Sequence, residues 1–139
     1  MSNSHASLRF NGLALLVALA VPLFSSIYVA AQAPDAAAHK QWMNDASDAQ
    51  EDFRFAVTDK KQKDAVDALA KLEALMARTE EYWTAKKSNA GVKLAKEARA
   101  LAAQAGTAAK AGNLTTATDA FNKMGASCNS CHELHLEKK

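Results

Sequence analysis

Five residues near the end of the chain, Cys128-Asn129-Ser130-Cys131-His132, have types and a spacing that can do chemistry. They form C-x-x-C-H, the spacing of a c-type haem attachment site. Two thiols add across the two haem vinyl groups and form thioethers. With two residues between them on a helical turn, both sulfurs reach one edge of the porphyrin. The next residue, His132, then points an imidazole nitrogen at the iron. A proximal histidine commonly holds haem iron, and the other axial position decides what the iron can do.

Other chemistries fit these residues less well. A redox dithiol expects a βαβ context, and the sequence offers none. A structural zinc site needs about four Cys or His ligands, and the chain has 2 cysteines. A disulfide between Cys128 and Cys131 would close a very small loop and stabilise little. No general base, nucleophile pair or phosphate loop is visible, so the chain is not expected to be an enzyme.

The motif must be carried by something, and the 139 residues suggest one domain. The first stretch stands apart from it. Arg9 precedes an apolar run from Leu13 to Val21, and small residues follow. That is the charged, apolar and small-residue pattern of a secretory signal peptide. Val29-Ala30-Ala31 offers small residues where cleavage requires them, which places the signal at residues 1–31 and the mature domain at residues 32–139. An uncleaved anchor is the alternative, but Pro22, Ser25, Ser26 and Gln32 interrupt the span. Covalent haem attachment takes place on the outer side of the bacterial inner membrane. Export signal and motif therefore call for one compartment, the periplasm, with no membrane attachment after cleavage.

From Gln32 onward, Lys and Arg exceed Asp and Glu by one. No basic stripe is present, so nucleic acid is not an expected partner. The mature segment is rich in Ala, Lys, Leu and Glu and has no proline after Pro34, which favours helix. Four stretches separate at polar or glycine breaks.

The first is expected from about Ala36 to Val57, with Asp35 as its N-cap. His39, Trp42, Met43, Ala46, Gln50, Phe53 and Val57 make one stripe. The second runs from about Lys63 to Lys86, with Val66, Leu69, Leu72, Met76 and Trp83 inward and Leu75 and Tyr82 beside them. The third runs from about Ala90 to Ala111, capped by Ser88 or Asn89, with Val92, Leu94, Leu101 and several alanines at helical spacing. Gly112-Asn113 ends it. The fourth starts at about Thr116. It places Ala117, Phe121, Met124, Cys128, Cys131 or His132, and His135 on one face. The expected fold is all-α, an antiparallel up-down-up-down four-helix bundle with the motif on the inward stripe of its last helix. The core is lean in aromatics. A haem would supply apolar volume, and the chain without haem is expected to be loosely packed or unfolded.

With C-x-x-C-H in the last helix of four, the mature segment resembles the class II cytochromes c, the cytochrome c′ family. Class I cytochromes c carry the motif near the N-terminus instead. The resemblance implies one covalent haem c per chain, with Cys128 and Cys131 as the thioether residues and His132 as the fifth iron ligand. It implies that the distal residue comes from the first helix, where Met43 is the matching position. Low-spin relatives ligate iron with a methionine there; high-spin relatives often have an apolar residue and five-coordinate iron. By itself a core methionine is a gap-filler. Met76 and Met124 are poorer candidates, and His39, one turn before Met43, could compete as a ligand or contact a propionate. His135 lies on the proximal side, as a partly exposed helix-end histidine.

Relatives often carry arginines for the haem propionates one turn before the distal residue and shortly after the motif. Here those regions hold His39 with Lys40, and Leu136 followed by Lys138. The implied function is single-electron transfer with redox partner proteins. The alternative is a five-coordinate binder of nitric oxide or carbon monoxide. A homodimer is allowed as well, because many relatives pair through their first two helices.

Overall fold

The computed structural model describes residues 35–135. The expected signal segment, residues 1–31, lies outside them, as do Leu136 and Lys138. The described residues form four α-helices and no strand: α1 (Ala36–Thr58), α2 (Gln62–Ala85), α3 (Asn89–Lys110) and α4 (Leu114–His135). Each lies where the periodicity predicts one, apart from a residue or two at the ends. Among the described residues no helix is long and apolar enough to cross a membrane.

Local chemistry sets the helix starts. The Asp35 carboxylate accepts a hydrogen bond from the Ala38 N–H at 2.7 Å, the expected N-cap of α1. Ser88, not Asn89, caps α3, accepting from the Gly91 N–H at 3.2 Å. Asn113 does the same for α4, accepting from the Thr116 N–H at 3.0 Å. α2 has no side-chain cap.

The three helix ends share one turn design. A residue in the left-handed region follows each C-cap: Lys60 (φ 57), Lys87 (φ 56) and Gly112 (φ 78). The next N–H then reaches back five residues. Lys61 N–H donates to the Ala56 carbonyl at 2.8 Å, Ser88 to Trp83 at 3.0 Å, and Asn113 to Ala108 at 2.9 Å. These bonds satisfy carbonyls that the helix leaves open. Glycine is present at only one of the three sites, so only that one announces itself in the sequence.

Successive helices pack on one another, α1 on α2, α2 on α3 and α3 on α4. α1 meets α4 through Phe53 and Phe121, whose ring centroids are 4.5 Å apart, with the Arg54 guanidinium 5.2 Å above Phe121. At the start of α2 the Gln62 amide donates to the last carbonyls of α3, Ala109 at 2.9 Å and Lys110 at 3.0 Å. The largest fully buried side chains are Phe53, Leu69, Leu72 and Met124.

Two details differ from the periodic expectation. On α3 the buried face is made of Gly91, Ala95, Ala98, Ala102, Ala105 and Ala109, while Val92, Leu94 and Leu101 are only half-buried. α3 packs on both α2 and α4, and small side chains allow that double contact at close range. On α2 it is Tyr82 that is buried and Trp83 that is half-buried. The Tyr82 ring is covered by His39, whereas Trp83 lies against Gly91 and His135.

Candidate functional site

A cavity of about 400 Å³ is lined by side chains from all four helices. Its apolar wall includes Ala46 from α1, Leu72 and Met76 from α2, Ala95 and Ala98 from α3, and Met124 from α4. The alanines matter as much as the larger residues. Ala46 on α1 and Ala95 and Ala98 on α3 leave a hollow, because a methyl group cannot span the gap that a leucine would fill.

The structure brings together every residue that the sequence singles out for chemistry. Cys128, Cys131 and His132 from α4 line this cavity, and so does Met43 from α1. Both cysteines are half-buried free thiols, His132 is exposed, and Met43 is half-buried. Met76 and Met124 also line the cavity, but they are packed core residues. Met43 is the half-buried methionine of the three and the one on α1. His39 and His135 also line the cavity.

Around these residues lies an aromatic cluster that periodicity alone does not announce. The His39 imidazole lies flat on Tyr82, with centroids 4.0 Å apart and planes within 3°. Trp83 stacks on His135 at 4.0 Å, and His39 meets Trp83 edge-to-face at 5.5 Å. Ser88 Oγ lies 3.4 Å from His135 Nε2. Gly91 makes the Trp83 position possible. A Cβ at residue 91 would lie 2.6 Å from Trp83 Cγ and Cδ2. The visible signal for this in the sequence is modest: a glycine three residues after the capping Ser88.

The environment also sets the charge states. Burial pushes the Cys128 thiol up, and the neighbouring Cys131 adds to it; burial likewise raises Cys131. A nucleophilic dithiol works through a thiolate held below its ordinary pKa, so these shifts run against that chemistry. Burial lowers the pKa of His39, with His132 and His135 acting in the same direction. Among the described residues no group of three or more His, Cys, Asp and Glu side chains is placed to hold a metal ion.

No protein-family model, curated protein or solved structure matches this chain.

Proposed function

We propose that this chain is a class II-type cytochrome c that carries one covalent haem c and transfers single electrons in the periplasm. The observation that carries the proposal is the common placement of Cys128, Cys131, His132 and Met43 on one cavity. Proximity in sequence explains the first three. Met43 reaches the same cavity only through the packing of α1.

The residues present fit a haem. The cavity volume of about 400 Å³ falls within the range of about 300–1,000 Å³ usual for ligand and cofactor sites. Its wall is mostly apolar, as a porphyrin face requires. Cys128 and Cys131 would supply the thioether sulfurs, His132 the proximal imidazole and Met43 the distal thioether. Haem iron with Met/His ligation supplies one-electron chemistry at a raised potential. Leu72, Met76 and Met124 form part of the apolar wall, and burial pushes both thiols up. Buried Thr79 donates its own hydroxyl to the Leu75 carbonyl at 2.9 Å, so it places no unmet polar group in the wall.

The helix arrangement supports an up-down-up-down bundle. The helices are joined by three short turns. The cavity is lined by early residues of α1, late residues of α2, early residues of α3 and late residues of α4. An antiparallel order brings those four ends together.

The test is the visible spectrum of the purified holoprotein, ferric and ferrous, with and without carbon monoxide. Sharp low-spin bands with no response to carbon monoxide are the expected result. A high-spin spectrum that shifts with carbon monoxide would assign the protein to gas binding at an open distal site. A chain that acquires no covalent haem, or a Cys128→Ala and Cys131→Ala variant that retains it, would overturn the proposal.

A further inference from the structure

The side chains that line the cavity are not equally exposed. Those from α2 and α3 are all buried or half-buried. The exposed ones are Lys40, Asn44 and Ser47 on α1 and His132 on α4. The cavity therefore opens to solvent between the first helix and the last. Successive helices pack on one another, and the opening falls at the seam between two helices that are not successive. Lys40, Asn44 and Ser47 follow at helical spacing, so they form a single stripe of α1 along that seam.

The chemistry of this mouth is one-sided. Lys40 brings a cation, and Asn44 and Ser47 bring uncharged hydrogen-bonding groups. Among the described residues no Asp or Glu lines the cavity, and Lys40 belongs to none of the ion pairs. Other lysines have a carboxylate beside them: Lys61 has Asp59, Lys63 has Asp67 and Lys96 has Glu80. On the same turn of α1, the Asp45 carboxylate already accepts from the Gln41 amide at 2.9 Å.

We infer that the mouth between α1 and α4 is the surface at which electrons are exchanged, and that it receives a one-electron redox protein through a carboxylate-bearing face. This rests on the haem proposal above and adds the place of docking and the charge of the partner. A group held by Cys128, Cys131 and His132 inside the cavity reaches solvent through this seam. A cation with no carboxylate beside it favours encounter with an acidic face. A stripe of three side chains suits the small contacts that transient redox partners make. In the step itself one electron leaves the ferrous iron and reduces the partner by one; no bond forms or breaks, and no proton moves.

The test uses ¹⁵N-labelled ferrous holoprotein and hexacyanochromate(III), a redox-inert paramagnetic anion that stands in for the acidic face. The backbone amides of Lys40, Asn44, Ser47 and His132 are expected to broaden first, and Lys40→Glu should remove that broadening. A kinetic measurement follows the electron. Oxidation by hexacyanoferrate(III) at low salt should slow about threefold or more in Ser47→Glu. It should slow much less in Gln104→Glu, an exposed position on α3 outside the cavity lining. Broadening centred on lysines away from the mouth, such as Lys60 and Lys61, overturns the inference while covalent haem stands, and so does equal slowing in the two variants. A chain without covalent haem overturns the haem proposal and this inference with it. All three substitutions fall on exposed side chains, so the fold is not put at risk.

Discussion

Met43 and His132 approach the cavity under different constraints. His132 is tied by sequence to Cys128 and Cys131, so its position follows from theirs. Met43 is held only by the packing of α1, and its half-buried side chain keeps some freedom. On the proposed haem ligation, Met43→Ala should convert low-spin iron to high-spin and open the site to carbon monoxide, leaving the covalent haem in place. The spectrum reads this directly. An unchanged low-spin spectrum would mean that another group, with His39 the first to check, is the distal ligand. Methionine's unbranched thioether suits either role, filling a gap or binding a metal, which is why the side chain type alone does not decide.

At the scale of the helix, the left-handed lysines and the close approach at Gly91 are the features with measurable consequences. Lys60 and Lys87 hold a conformation that costs an L-residue about 1–2 kcal/mol. Part of that is returned by the lower backbone entropy of a lysine in the unfolded chain. Lys87→Gly should then stabilise by roughly 0.5–1 kcal/mol, read as a higher melting temperature. Gly91→Ala goes the other way. Its helix propensity favours alanine by about 1 kcal/mol, but the new Cβ meets Trp83 near the base of that side chain, where little can give. Overpacking typically costs about 1–3 kcal/mol, so a net loss of stability is expected. Holoprotein Gly91→Ala should also show altered exchange at the Trp83 indole, because that ring must move.

For the whole molecule, α1 meets α4 through Phe53 and Phe121, with Arg54 over the Phe121 ring, and both helices line the cavity. Phe53→Ala should cost about 3–5 kcal/mol in chemical denaturation, since Phe53 is 1% exposed and packs on Phe121. The haem-free Cys128→Ala and Cys131→Ala variant tests the cavity. A group bound only by the folded state adds stability, and an unfilled apolar cavity forfeits contacts on its walls. The haem-free variant should melt at a lower temperature and less cooperatively than the holoprotein, with weakened near-ultraviolet dichroism. Equal melting curves would mean that the four helices hold together without help.

The sequence by itself determined the helices, the Asp35 cap of α1 and the company kept by the motif. Asp35, the alanine-rich stretches and the spacing of Phe121, Met124 and Cys128 are local signals, because a helix advances by the same angle at every residue. That period is enough to put the thiols on the face that carries Phe121 and Met124. It is not enough to choose between neighbours. Tyr82 and Trp83 differ by one step around α2, and only the arrival of His39 from α1 and Gly91 from α3 decides which ring is buried. Lys60 and Lys87 carry no mark of a left-handed turn, because the constraint comes from the helices on either side. The meeting of Met43 with Cys128, Cys131 and His132, and the opening of their cavity between α1 and α4, likewise exist only in three dimensions. They depend on contacts between helices far apart in the chain, and no local period records those.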